Sequence, residues 1–555
     1  MLPKGCKIFC YNEMKHFATT RYIALFAAVV LQMLFFSCAN VGYPSGGAVD
    51  KTPPKVIAFE PVNETKNFVS NNITIHFDEY IQLKDVDNQV LISPPFEQKP
   101  EIVAKGKYIS ISIKDTLQSN TTYLFQFKNA VVDNNEGNAL SSLDYVFSTG
   151  NNLDSLSIKG KVLDGHTLKP DDGISVMLYS DFADSAIAKT RPVYMTKTDK
   201  NGTFKLKYLK QGQYKIIALK DDDRSMTYNN VSEKMAFCID TIMPVYIIDS
   251  LDTADSGIVL HTFVPKVGEQ RITDSKMTKS GKAVITMLYP LVNATIMSPD
   301  NELITVLNKG CDTLEVWTAK PTDSLILMIK DLSGIDDTLK LRYFKKKGRQ
   351  QKETFYKTNA KAVVPYFDSI KMTFSNPIDS VMDGGKVVCV QTKADTFYTT
   401  LELDKDRVHA IIKLKLQPDT SYTILIPKGK IVDIYGAIND SITLKTKVNT
   451  PNDYGAITIN LLPATDVTPY IIQLLSEKDN VVSEKVYAGE SVTFSNITPG
   501  KYKVRAIVDA NANGEWDAGN YWQHLQPEKV YYFPKTLELR NNWEMEETFD
   551  IKTIK

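Results

Sequence analysis

Two stretches of this chain each occur twice, and the copies alternate. Ile73-Thr-Ile-His-Phe77 matches Ile370-Lys-Met-Thr-Phe374, and Leu117-Gln-Ser-Asn-Thr-Thr-Tyr123 matches Leu416-Gln-Pro-Asp-Thr-Ser-Tyr422. Val131-Val-Asp133 pairs with Ile431-Val-Asp433, and Phe147-Ser-Thr149 with Leu444-Lys-Thr446. We call this module type A. A second module, type B, shares every interval between Gly212-x-Tyr214-x-x-x-Ala218-x-x-Asp221 and Gly500-x-Tyr502-x-x-x-Ala506-x-x-Asp509. Each B copy follows a strand-like run holding Phe204 or Phe494. Apolar residues recur at every second position in these runs, which is the period of a strand with one buried face. A chain that repeats such units must stack separate sandwiches, not build one core.

The rest of the chain keeps the same grammar. Runs such as Tyr108-Ile-Ser-Ile-Ser-Ile113 and Tyr123-Leu-Phe-Gln-Phe127 are separated by Asn, Asp, Gly and Pro clusters. Short strands at this spacing indicate β-sandwiches, and no amphipathic run is long enough for a helix of three turns. The expected fold class is all-β, a tandem array. The expected boundaries are 52–150 (A), 155–259 (B), 260–362 (an unpaired β-rich domain), 363–450 (A) and 453–550 (B).

The N-terminus reads as an export signal. Lys15 and Arg21 precede an apolar run from Tyr22 to Phe36, which ends in Ser37-Cys38. A basic region, an apolar region and a small residue in that order mark a cleaved secretory segment. A cysteine at the cleavage point resembles a bacterial lipoprotein signal, in which Cys38 becomes the lipidated first residue. On this reading 14–37 is the signal peptide, Met14 is the natural start, and 38–51 is a flexible tether rich in Gly, Ser and Pro. The competing readings are ordinary secretion and an uncleaved anchor, although the run is shorter than the ~20 residues that span a bilayer.

Removing 1–37 leaves 61 basic and 64 acidic residues. That balance gives no reason to expect nucleic acid as a partner. Cys238, Cys311 and Cys389 are odd in number and widely spaced. They suggest buried free thiols, not disulfides or a metal site.

Further residues carry a family resemblance. Thr52-Pro53-Pro54, Phe77-Asp78-Glu79, Asn120-Thr-Thr-Tyr123, Asp133-Asn-Asn-Glu-Gly-Asn138 and Phe147-Ser-Thr-Gly150 resemble the bacterial Ig-like domain of the S-layer-protein type, common in Bacteroidota lipoproteins. The second A copy has Asn376-Pro377 in place of Asp-Glu and lacks the Gly-Asn signature. Asp199-Lys-Asn-Gly-Thr-Phe204, followed by Leu209-x-x-Gly212-x-Tyr214, resembles prealbumin-like sandwiches of the carboxypeptidase-regulatory kind. The resemblance implies an extracytoplasmic multi-domain protein without a defined activity.

The sharpest chemical motif is Asp509-Ala-Asn511-Ala-Asn513-Gly514-Glu-Trp-Asp517. Oxygen donors at positions 1, 3, 5 and 9 with glycine at 6 follow a calcium loop. Position 12 is Asn520, so Glu515 or Glu528 would have to supply the missing carboxylate. The alternative is an Asx-rich turn whose side chains bond their own backbone. Asp221-Asp222-Asp223 holds the equivalent place in the first B copy, without the glycine. The Asp133–Asn138 stretch reads as a loop turned by a left-handed Gly137. Trp516, Tyr521, Trp522 and Trp543 form a C-terminal aromatic group that either offers a stacking platform for a sugar or protein, or fills core.

No catalytic constellation emerges. The histidines show no metal spacing, Asp78 and Glu79 face opposite sides of a strand, and no nucleophile or phosphate-loop motif is present. The expectation is a non-catalytic, outer-membrane lipoprotein that requires no cofactor, with structural Ca2+ as a candidate. Its partners would be the membrane, through the lipid, and an envelope protein or glycan. The role would be a spacer with the last B domain at the distal end; capture of glycans for nutrient uptake is the alternative. Surface-exported members of the lipoprotein group it resembles usually carry acidic residues just after the lipidated cysteine; Ala39 to Val49 has none, so the resemblance implies the periplasmic side.

Overall fold

The computed structural model describes residues 50–554 apart from 231, 247–256, 267–269, 278–281, 321, 333, 343–354, 392–394, 464–468, 488 and 490. The signal peptide, Cys38 and most of the tether lie outside the described residues. Among the described residues no helix is long and apolar enough to cross a membrane.

The fold is all-β, five sandwiches in tandem. In the first A domain a four-stranded sheet (Val56–Glu60, Asn72–Phe77, Tyr108–Ser112, Glu101–Lys105) faces a three-stranded one (Leu91–Ser93, Thr122–Gln126, Asp144–Ser148). Ile73, Ile75 and Phe77 point inward with Phe125 and Phe147, as the alternating pattern requires. The second A domain repeats this core with Ile370, Met372 and Phe374. Its sheets are joined because the Thr396–Leu403 strand pairs on both sides.

The repeated Leu-Gln…Tyr motif closes a corner. The Tyr123 hydroxyl accepts the Gln118 N–H at 2.9 Å, and the Tyr422 hydroxyl accepts the Gln417 N–H at 3.1 Å. Type B has its own corner. Tyr214 donates its O–H to the Lys210 carbonyl at 2.9 Å, and Tyr502 donates to the Thr498 carbonyl at 2.6 Å. Buried hydroxyls need such partners. The Gly-x-Tyr spacing lets the ring fold back: a Cβ on Gly212 would stand 3.4 Å from the Tyr214 oxygen.

Each B domain packs a three-stranded sheet on a larger one. In the first, the Leu156–Asp164 strand lies between Thr203–Leu209 and, in parallel, Ile258–Thr262. This sandwich therefore runs past 259, because its closing strand ends at Thr262. The Glu544–Asp550 strand plays the same part in the second B domain. The middle domain, between Ile272 and Arg342, is also a two-sheet sandwich.

The domains do not form an extended string. The first A and B domains are joined by Arg191, which donates to the Phe96 carbonyl at 2.6 Å, and by the Lys207–Asp144 ion pair at 3.0 Å. The middle domain meets the second A domain through Trp317 Nε1, which donates to the Ser375 carbonyl, and Tyr435, whose hydroxyl donates to the Thr318 carbonyl. Tyr366 and Phe367 pack on Tyr454 of the second B domain. The two B domains then pack directly on each other. The last B domain is thus not the far end of a spacer: a loop inserted in it supplies apolar side chains that bury against the first B domain.

Candidate functional site

The loop from Asp509 to Glu528 carries most of the residues singled out from the sequence. It leaves the Gly500–Val508 strand and returns into Val530–Tyr532. Asp509 is buried, and its carboxylate accepts the Asn513 N–H at 3.0 Å and the Gly514 N–H at 2.9 Å. The Asn511 and Asn513 amides both donate to Asp517 Oδ2, at 2.6 and 2.8 Å. Glu528 accepts the Ala510 and Asp517 N–H groups at 2.7 and 2.9 Å. Burial, with Asp517 and Asp509 nearby, holds its carboxyl above the ordinary glutamate range. Gly514 has φ +80°, the left-handed conformation that glycine permits.

These side chains are gathered by hydrogen bonds to one another and to the loop backbone, with Asn511 Oδ1 and Asn513 Oδ1 accepting the Asn513 and Glu515 N–H groups at 3.1 and 2.8 Å, which is the Asx-rich turn. Lys266 Nζ stands 3.8 Å from both Glu515 and Asp517.

The first B domain builds the same loop. Asp221 Oδ2 accepts the Met226 N–H, five residues on, as Asp509 accepts that of Gly514. Met226 takes φ +59° at the glycine position. Asn229 donates to Asp223 at 2.7 Å, the Asn511–Asp517 pair with its residue types exchanged. Glu233 accepts the Asn230 N–H and stands where Glu528 stands, since Ala218 pairs with Ala236 as Ala506 pairs with Tyr531. Ligand oxygens of Asp221, Asp223 and Glu233 lie within 4.8 Å of one another. Burial and the neighbouring Asp223 raise the Asp221 carboxyl, while the Asn229 amide and Ser225 hold Asp223 at about 2. The sequence marked the start of this second loop at Asp221-Asp222-Asp223 but not its Glu233 end, because methionine stands in place of the glycine. The signal that could have found it is the shared Glu-Lys-apolar triplet, Glu233-Lys234-Met235 and Glu528-Lys529-Val530.

The interval from Asp517 to Glu528 is 7 residues longer than that from Asn229 to Glu233. The inserted residues dock on the first B domain. Tyr521 is 2% exposed, packed edge-on to Phe237 with ring centroids 5.2 Å apart. Its hydroxyl accepts from Lys215 Nζ at 3.1 Å and donates to the Asp184 carbonyl at 3.3 Å. His524 meets the Asp184 carboxylate at 3.1 Å, and Gln526 donates to the Phe237 carbonyl at 2.9 Å. Trp516 is half-buried against His166, and Arg505, also buried, donates to the His166 carbonyl at 3.2 Å. Burial and the Arg505 charge hold the His166 imidazole below its ordinary range.

The aromatic group therefore divides. Tyr521 and Trp516 face the interface and offer no open platform. Trp522 is 43% exposed beside Tyr228, and Trp543 is 48% exposed beneath Arg540. The structure does not bring these two together: Trp543 lies just before the closing strand, away from the loop.

At Asp133 the carboxylate is buried, yet it accepts four backbone N–H groups, from Gly137, Asn138, Glu136 and Asn135, which hold it at about 2. Gly137 has φ +81°. Cys389 is buried, which pushes its thiol up to about 11, and Cys238 and Cys311 are half-buried free thiols.

The bacterial Ig-like domain family matches residues 50–149 and 353–449, the two A domains. No curated protein matches the chain. Among solved structures, the chain is similar to the Bacillus anthracis TIE protein at 12% identity, covering 92% of this chain and 75% of that one, with TM-score 0.13. It is similar to BcpA, the major pilin subunit of Bacillus cereus, at 12% identity over 72% of this chain and 99% of that one, with TM-score 0.15. Domains 1–6 of the surface layer protein SbsC align at 12% identity over 88% and 67%, with TM-score 0.14.

Proposed function

We propose that this protein is a lipid-anchored, non-catalytic scaffold of the cell envelope, attached to the outer membrane through acylated Cys38. The observation that carries the reading is that conspicuous side chains are spent on joining domains. Tyr521, Trp516, Arg505, Trp317 and Arg191 all sit at domain junctions. Such a chain holds surfaces in a fixed relation. Lipid labelling of wild type and Cys38→Ala, with protease shaving of intact cells, tests it. Labelling lost in the variant supports the anchor, and protection from protease supports the periplasmic side. Labelling that persists in the variant overturns the lipid reading.

Within the scaffold, calcium held by Asp509, Asn511, Asn513, Asp517 and Glu528 would brace the docking loop. The matching loop in the first B domain supports this part of the reading. Calcium should raise the melting temperature of wild type and leave that of Asp517→Ala unmoved. Equal melting of wild type with calcium and with chelator removes it.

The second reading, glycan capture, is favoured by the exposure of Trp522 and Trp543. It requires Trp522→Ala to abolish binding to a glycan array that wild type recognises. Unchanged binding in the variant, or none by wild type, removes it.

A further inference from the structure

We propose that the contact between the two B domains is a proton-operated latch, closed at neutral pH and released on acidification through His166 and His261. Both histidines belong to the first B domain and face cations of the second. The His166 ring packs on Trp516 with centroids 4.8 Å apart, and its carbonyl accepts Arg505 Nη1 at 3.2 Å. His261 lies on the closing strand Ile258–Thr262, beside Leu163. The docking loop covers this edge of the domain. A Cβ on Gly165 would stand 3.3 Å from the Pro527 ring, and one on Gly519 would stand 2.7 Å from the Phe263 ring. Lys529 follows directly where that loop returns to the sheet.

Arg505 sets the sign of the response. It is 4% exposed, and among the described residues its hydrogen bonds go to neutral acceptors: Gln473 Oε1, the His166 carbonyl and the Tyr532 hydroxyl. A buried guanidinium with no carboxylate bonded to it is an unfavourable neighbour for a second cation. Burial and the Arg505 charge hold the His166 imidazole below its ordinary range, and burial and the Lys529 charge do the same to His261. Asp164 acts on His166 in the opposite sense, but its carboxylate is already engaged by Lys234 and by the Thr167 N–H, both at 2.7 Å. Asp479, which also crosses the junction, is held between Lys169 and Lys503 at 2.6 and 2.7 Å.

His524 works the other way. It meets the Asp184 carboxylate at 3.1 Å, and a charged imidazole there tightens the contact. Its ring is half-exposed, and Asp184 is already paired with Lys215 at 2.9 Å, so solvent screening leaves it the smaller effect. His166 and His261 are half-buried, where like charges are screened less. An imidazole that titrates lower in the closed state than in the open one contributes closure that is complete above the open value, about 6.5. That contribution is lost as pH falls from there through the closed value. Each pH unit between the two values weakens closure about tenfold. The latch stands whether or not the chain is lipid-anchored or binds calcium.

The test is solution scattering of the full chain, with a calcium chelator present, between about pH 8 and pH 5. The radius should rise below about pH 6.5 while the β-sheet circular dichroism stays constant. His166→Gln/His261→Gln should stay compact across the range, and His524→Gln should open at higher pH than wild type. If the double variant fails to fold, His261→Gln decides, and its opening should move to lower pH than wild type. A constant wild-type radius would overturn the proposal. So would the same opening with and without the two histidines, which would assign it to Glu528, whose carboxyl stands above the ordinary glutamate range.

Discussion

Single residues in this protein act by closing corners, and the pH dependence follows from one of them. Asp133 titrates near 2 in the folded chain because four backbone N–H groups stabilise its anion, against about 3.9 for an unfolded aspartate. A depressed carboxyl contributes stability that is present above the unfolded value and lost as pH falls from there through about 2. Acid unfolding of Asp133→Asn should therefore be flatter than wild type across that window; identical curves would remove Asp133 from the balance. The corner tyrosines were legible as repeated letters, but not their bonding. Nothing in Leu117-Gln…Tyr123 says that the hydroxyl reaches back to the second residue, because that depends on how the chain bends between them. Met226 was illegible for a related reason: its left-handed backbone is imposed by the loop, against its own preference.

Turns and loops at the level of elements decide how strands meet. Gly202 closes the hairpin that starts at Asp199, with φ +70°, and a Cβ there would stand 2.4 Å from the Val162 carbonyl. Gly202→Ala should destabilise the first B domain by about 1 kcal/mol or more, read from chemical denaturation. The docking loop is the other decisive element. Tyr521→Ala removes a buried ring together with its hydroxyl's hydrogen bonds to Lys215 and the Asp184 carbonyl. The loss should be about 3–5 kcal/mol at the junction, as for buried aromatics elsewhere. Its readout is a larger radius in solution scattering with each sandwich still folded. An unchanged radius would show that the junction does not depend on this ring. Strand-forming runs were readable because alternation is local. The loop's destination was not, since Tyr521 and Trp522 are adjacent in sequence and only the partner domain decides which of them is buried.

At the scale of the whole molecule, the repeats announced the domain order and the all-β class, but not the arrangement in space. A sequence lists neighbours along the chain, and the contact between the two B domains joins residues more than three hundred positions apart, such as Lys215 with Tyr521. Scattering should therefore report a chain more compact than five domains end to end, and Gly519→Val should loosen it. A Cβ at Gly519 would already stand 2.7 Å from the Phe263 ring and from the Leu525 carbonyl.

That closure has a mechanical meaning. A pull between the N-terminal end and anything grasping the second B domain runs through the B–B junction. The middle and second A domains lie off that line, as slack held in reserve. Below the force that parts the junction the molecule is short and stiff. Parting the contact would let the reach grow by the span of those two domains with every sandwich still folded.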